Sequence, residues 1–218
     1  MDQTPGFFVT GTGTEVGKTV VAAVLAHTLA GEGKRVAVFK PAVTGLEEEG
    51  ETDHALLGRA SGSTQSDGEI APYRYQPPAS PHLAAALAGE EIQPERLRQA
   101  ARDAATKADA IVCEGVGGFL VPLSPTYLVR DLAVDLGYPL VIVAGPGLGT
   151  INHTLLTLES ARAAGLHVAA IVLNPWPAEP TEIERSNRET IASLDHALIH
   201  VLPQLDLSDP DGWPPLRI

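Results

Sequence analysis

Residues 7–19 read F-F-V-T-G-T-G-T-E-V-G-K-T, and this stretch decides the fold. Phe7 to Thr10 is a short apolar, β-branched run that fits a buried strand, and it ends in a glycine-rich loop. From Lys18 to Glu32 the chain has the Ala, Leu and Val content of a helix, and Arg35 to Lys40 (R-V-A-V-F-K) reads as a second strand. The opening forty residues therefore form one β-α-β unit with a phosphate-binding loop at its first turn. In such a loop the amides of Gly13, Thr14, Glu15, Val16 and Gly17 turn inward around phosphate oxygens, and the following helix aims its positive end at them. Lys18 adds a point charge near the terminal phosphates, and Thr19 offers a hydroxyl to Mg²⁺. The spacing is unusual, because Gly11 and Gly17 enclose five residues where the standard pattern has four.

Working outward, further apolar strands are expected at Ala110 to Glu114, Leu140 to Ala144, Val168 to Leu173 and Ala197 to Leu202. Helices are expected around Asp53 to Ala60, Pro94 to Lys107, Leu128 to Leu136, Asn152 to Ala164 and Thr181 to Leu194. Near-continuous apolar strands alternating with helices predict a three-layer α/β domain, a mainly parallel sheet of P-loop NTPase type covered on both faces. Gly62 to Pro81 reads as an ordered excursion and Asp209 to Ile218 as a surface tail. One domain over residues 1–218 is expected.

Composition sets the outer limits. The 218 residues carry 15 Lys plus Arg against 27 Asp plus Glu, a formal charge of −12, which disfavours nucleic acid and anionic membranes as partners. A lone cysteine, Cys113, makes no internal disulfide and sits in a strand as core, which suits a reducing compartment. The first residues lack the positive charge of a signal peptide, no apolar run reaches membrane-spanning length, and the expectation is a cytoplasmic protein.

The residues after each strand carry the chemistry in such folds. Lys40 ends the second strand, where it is either a solvated strand-end lysine or a cation entering the crevice. Five acids crowd residues 47–53, a run that reads mostly as solvated loop, and Asp53 at its end is either a helix N-cap or a ligand. Glu114 follows an apolar strand, and Gly115 and Gly117 let backbone approach a ligand there. Thr19, Asp53 and Glu114 make an oxygen-only set that suits Mg²⁺. Thr150 reads as a cap at the start of a helix.

Five blocks together resemble the dethiobiotin synthetase family, in that family's order. They are the loop itself, K-P-A-V-T-G (Lys40 to Gly45), S-P-H (Ser80 to His82), V-C-E-G-V-G-G (Val112 to Gly118) and L-G-T-I-N-H-T (Leu148 to Thr154). The likeness spans essentially the whole chain and is weakest after Trp176. It implies an ATP- and Mg²⁺-dependent cyclo-ligase acting on 7,8-diaminopelargonic acid and CO₂. Under the resemblance Lys40 is the catalytic lysine, with Lys18, Thr14 and Glu15 at the same centre, and Asp53 joins Thr19 and Glu114 as a metal ligand. Thr44 matches the hydroxyl that contacts substrate, usually a serine. Glu114, Gly115, Val116 and Gly117 flank the nucleotide, with Val116 where alanine is general. Asn174 resembles the base-recognising asparagine, followed here by Pro175 where members often have Asp, and Pro203, Gln204 and Leu205 lie near the base. Gly149, Thr150 and Asn152 would hold the substrate carboxylate for the other subunit of a homodimer.

Three other classes compete with this reading. A corrin amidotransferase needs a glutaminase domain for which 218 residues leave no room. A partitioning or cell-division switch usually has a second lysine early in the loop, and residues 10–17 contain none. A nucleotide-binding module without chemistry would make Lys40 and Glu114 accidental.

Overall fold

The computed structural model of the chain describes residues 3–46, 50–195 and 197–218. β1 (Gly6–Gly11) runs into the phosphate loop, α1 (Lys18–Gly31) follows, and β2 (Val36–Phe39) closes the first unit. Next come α2 (Asp53–Ser61), α3 (Asp67–Ile70), α4 (Pro81–Leu87) and α5 (Pro94–Thr106), then β3 (Ala110–Glu114) and the short strands β4 (Pro122–Ser124) and β5 (Tyr127–Leu128). The chain ends with α6 (Val129–Leu136), β6 (Leu140–Ala144), α7 (Thr150–Ala163), β7 (Val168–Trp176), α8 (Glu182–Leu194) and β8 (Leu198–Pro203), followed by a 3₁₀ turn at Pro210–Gly212.

Six strands form one parallel sheet in the order β2-β3-β1-β6-β7-β8. The A-I-V-C-E of β3 and the L-V-I-V-A of β6 are buried at every position, which is why those runs lack the alternation of a half-exposed strand. Successive residues still face opposite layers. Phe8, Phe39, Ile111 and Cys113 pack against α5 and α6, whereas Val9, Val38 and Val112 pack against α1, so Cys113 is core as expected. A third cluster fills the space between the sheet's other half and α7 and α8.

β1 has β3 on one side and β6 on the other, neither its neighbour in sequence, so the order reverses there. That reversal leaves a crevice beyond the carboxyl end of β1. The ends of β2 and β3 stand on one side of it and the end of β6 on the other. Among the described residues no helix is long and apolar enough to cross a membrane.

The strands and long helices match the expected positions within a few residues, with three differences. Gly62 to Pro81 is ordered as expected but holds α3, and α4 begins at its end; both are too short to announce themselves by periodicity. The β4-β5 hairpin was also unexpected. The tail is the substantive correction, because Trp213 and Leu216 are buried. Trp213 meets the His27 ring of α1 edge-on at 5.6 Å and donates through Nε1 to the Asp206 carbonyl at 2.7 Å, while the Leu216 N–H donates to Thr28 Oγ1 at 3.0 Å. The cause lies in α1, whose sequence K-T-V-V-A-A-V-L-A-H-T-L-A-G is apolar around most of its circumference and needs cover on the side away from the sheet. Trp213→Ala should therefore cost about 3 kcal/mol, read as a lower midpoint in urea unfolding. A change within ~0.5 kcal/mol would restore the view of a loose tail. Of the acidic run, Glu47 to Glu49 lie outside the described residues.

Candidate active site

Four charged side chains meet where β1, β2 and β3 end and α2 begins. Lys40, 2% exposed, is held at the end of β2, its own N–H donating to the Ile70 carbonyl at 2.8 Å. Its ammonium lies 2.6 Å from Glu114 Oε1 and 2.7 Å from Asp53 Oδ2. It is not a solvated strand-end lysine. Asp53 is the first residue of α2 with Thr52 in the cap position, so the N-cap alternative for Asp53 fails and its carboxylate is committed to the crevice. Glu114 is fully buried, and Thr19 Oγ1 donates to its Oε1 at 2.9 Å. Lys18 folds back on its own loop, donating from Nζ to the Gly13 carbonyl at 2.9 Å.

Burial dominates the electrostatics. It lowers the pKa of Lys18, with the Glu114 charge only partly opposing. For Lys40 burial also disfavours the charged form, but Glu114 and Asp53 together outweigh it and the ammonium is held above its ordinary value. Burial would raise Asp53 too, yet the Lys40 charge and the hydrogen bond from Lys40 bring it below the usual carboxylate range. Burial pushes Glu114 upward, and Lys40 pulls back. Two buried cations balanced by the buried Glu114 and the half-exposed Asp53 form a preorganised polar patch, where the buried charges act more strongly than they would in water.

The loop owes its shape to two conformational demands. Gly17 caps α1 at φ 82°, and an added Cβ would stand 1.9 Å from Asn174 Nδ2. Glu15 takes φ 61°, the one non-glycine positive φ among the described residues, which is strain kept at a site where backbone amides must converge. Asn174, buried on β7, donates from Nδ2 to the Val16 carbonyl at 3.1 Å and so clamps the loop from across the sheet. That anchoring contact was not foreseen from the sequence, which pointed to a base-contacting role alone. At Gly115 a Cβ would lie 2.9 Å from Val129 Cγ1, so packing against α6 requires glycine there; Val116 is buried in the core.

The remaining candidates lie around this centre. Thr44 lines a small cavity of about 180 Å³ with Asp53. Pro203, the last residue of β8, with Gln204 and Leu205 just after it, lines another of about 400 Å³ with Trp213, so the tail forms a wall that the sequence did not announce. Trp176 pairs with Pro203, putting Asn174, Pro175 and this cavity at one sheet edge. At α7 the cap is Gly149, φ 90°, and not Thr150, which is the first helical residue, buried, with Oγ1 3.4 Å from Thr154 Oγ1. A positive φ favours glycine there, displacing the expected threonine cap. Among the described residues, no hydrogen bond or ion pair joins Gly149, Thr150 or Asn152 to the Lys40 cluster within the chain.

The parallel sheet, the loop at its switch point and the lysine-carboxylate cluster define a nucleotide-binding domain of the P-loop NTPase type. A family profile described as "AAA domain" matches residues 5–210. Among solved structures, the cell division ATPase MinD of Pyrococcus furiosus superposes with a TM-score of 0.58 at 17% identity, over 92% of this chain and 83% of that one, a likeness of fold alone. Sequence relatives are nearer. The ATP-dependent dethiobiotin synthetase BioD of Rhodococcus erythropolis is 44% identical over 190 residues, 86% of this chain and 83% of the relative. That of Bacillus subtilis strain 168 is 39% identical over 190 residues, 87% and 82% of the two chains. The chain belongs to the dethiobiotin synthetase family.

Proposed function

We propose that this chain is an ATP-dependent cyclo-ligase that closes the ureido ring of dethiobiotin from 7,8-diaminopelargonic acid and CO₂. The observation that carries it is Lys40, buried between Glu114 and Asp53 beside the phosphate loop. A partitioning switch, a rival by fold, usually has a second lysine early in the loop, and residues 10–17 contain none; the MinD likeness at 17% identity extends to fold alone. The names of the relatives support the reaction.

One amine of the substrate takes up CO₂ as a carbamate, losing a proton. A carbamate oxygen attacks the γ-phosphorus of ATP and ADP leaves, giving a carbamic-phosphoric anhydride. The second amine attacks the carbonyl carbon, expels phosphate and loses its proton as the ring closes. Lys18 and the amides of Gly13 to Gly17 hold the phosphates, with Thr14 and Glu15 at the loop's tip. Lys40 holds negative charge on the carbamate and the transferring phosphoryl group. Thr44 orients the substrate, while Glu114 to Gly117, Asn174, Pro175 and Pro203 to Leu205 border the nucleotide. Catalysis is then mostly positioning and charge stabilisation.

Mg²⁺ fits the residues present. Thr19, Asp53 and Glu114 offer only oxygen, and Glu114 Oε2 is buried without a hydrogen-bond partner. When bound, the ion would neutralise charge on the nucleotide's terminal phosphates.

A homodimer supplying Gly149, Thr150 and Asn152 to the partner's substrate completes the reading. Supporting it, Leu148 is 95% exposed, and the exposed Leu120 and Leu156 border one groove. Leu156→Glu should halve the mass in solution and abolish turnover together; a monomer with full activity would remove the dimer. We assign the protein to the cytoplasm. The test of the function itself is phosphate release from ATP with Mg²⁺ and bicarbonate, expected only when diaminopelargonate is added. Release independent of the diamine would overturn the reading.

A further inference from the structure

A cavity of about 700 Å³ lies away from the phosphate loop. It opens at the start of β2, the far end from Lys40, between residues 61–65 and α5. β2 is an edge strand, and along it Ala37 and Phe39 turn their peptide groups toward β3 while Val36 and Val38 turn theirs away. Gln65 satisfies both outward groups of Val38, Oε1 accepting its N–H at 2.9 Å and Nε2 donating to its carbonyl at 3.0 Å. Ile70 accepts the Lys40 N–H. One step back, the outward N–H and C=O of Val36 border the cavity with no partner among the described residues. The single-amide solution at Val38 is thus left unfilled at Val36.

The charge around it is selective. The lining has four cations and two carboxylates, on a chain whose net charge is −12. Lys34, Arg35 and Lys107 are paired with Glu32, Asp109 and Glu69. Arg96, lying over the Tyr73 ring at 4.7 Å and donating from Nη2 to the Pro72 carbonyl at 3.2 Å, has no carboxylate partner among the described residues. One free amide edge and one guanidinium without a carboxylate describe a ligand with one amide-like group and one carboxylate. A peptide strand needs several successive backbone pairs, and here Gln65 and Ile70 already close the edge beyond Val36.

We propose that this cavity is a second, regulatory site for a small carboxylic acid bearing a cyclic ureide and, resting on the function above, that its ligand is the product dethiobiotin. The ureide N–H donates to the Val36 carbonyl and its C=O accepts the Val36 N–H, repeating the Gln65-Val38 pairing. The carboxylate meets Arg96. β2 and α2 run from this cavity to Lys40 and Asp53, so occupancy slows turnover without competing with the diamine.

The test is equilibrium dialysis of labelled dethiobiotin against the full chain, with diaminopelargonate and a non-hydrolysable ATP analogue saturating the active site. One equivalent should still bind to the wild type. Ala100→Phe, which fills the cavity from α5, should abolish that binding, and Arg96→Gln should weaken it about tenfold. Product inhibition against the diamine should be mixed in the wild type, where both sites fill, and purely competitive in Ala100→Phe. No binding under saturation, or binding indifferent to Arg96→Gln, overturns the site. Absence of diamine-dependent phosphate release would instead overturn the function, and the dialysis reads the site independently of it.

Discussion

Lys40→Met is expected to reduce diamine-dependent phosphate release by about a thousandfold and to destabilise the chain by about 3–5 kcal/mol near neutrality. Both follow from one geometry. The ammonium faces the transferring group and is also the counter-ion of Glu114 and Asp53 at 2.6 and 2.7 Å. Methionine fills the space but leaves the fully buried Glu114 carboxylate without its nearest cation. The pH dependence separates this from simple misfolding. Burial already raises Glu114, and without Lys40 it rises further, so the folded variant binds a proton more readily than the unfolded chain. A group raised on folding favours the folded state as pH falls, and the penalty should shrink on going from neutrality to about pH 5. In the wild type Lys40 is raised as well, and its contribution is full below the ordinary lysine value and lost only as alkaline pH passes the raised one. Its Asp53 is lowered, a contribution lost only as acid passes below the usual carboxylate range. Urea midpoints of both proteins at the two pH values check this. A penalty that does not change with pH would show that Glu114 carries no charge there. The double variant Lys40→Met/Glu114→Gln should recover much of the stability and none of the turnover.

The residues of this cluster were legible in the sequence, but their bonding was not. β1, β3 and β6 are buried on both faces, so unbroken apolar runs mark them almost to the residue, and the end of each strand marks where ligands sit. That reasoning finds Lys40 and Glu114 separately. It does not find that Glu114, 74 positions later, becomes the lysine's partner, because this depends on β3 inserting between β1 and β2. Asp53 was ambiguous for a local reason, since an acid at a helix start serves as a cap or as a ligand equally well by sequence. The tail was misread because proline-rich composition describes the segment alone, whereas the burial of Trp213 is set by the apolar outer face of α1. Gln65 lay hidden for the same reason, being a polar residue in a loop whose task is defined by the unpaired edge of β2.

Gly17→Ala should weaken ATP binding by about a hundredfold or more, because the loop and β7 cannot both keep their positions. At φ 82° an L-residue costs about 1–2 kcal/mol in backbone strain, which accounts for about tenfold. The rest comes from the new methyl at 1.9 Å from Asn174 Nδ2, well inside any contact distance. Asn174 is buried and cannot swing away without surrendering the Val16 carbonyl it holds at 3.1 Å, so relief must come from the loop, whose amides then no longer converge. The two costs are separable. Asn174→Gly alone gives up the clamp on Val16, so the comparison is made within that background: there the clash is gone and only the strain remains, and adding Gly17→Ala should cost no more than about tenfold to thirtyfold in affinity, measured by calorimetric titration. Gly13→Ala is the steric control, since an added Cβ there meets nothing within 4 Å, and its unfolding midpoint should match the wild type. Were Gly17→Ala to bind ATP as tightly as the wild type, Asn174 would not be locked, and the clamp from β7 onto the phosphate loop would have to be given up.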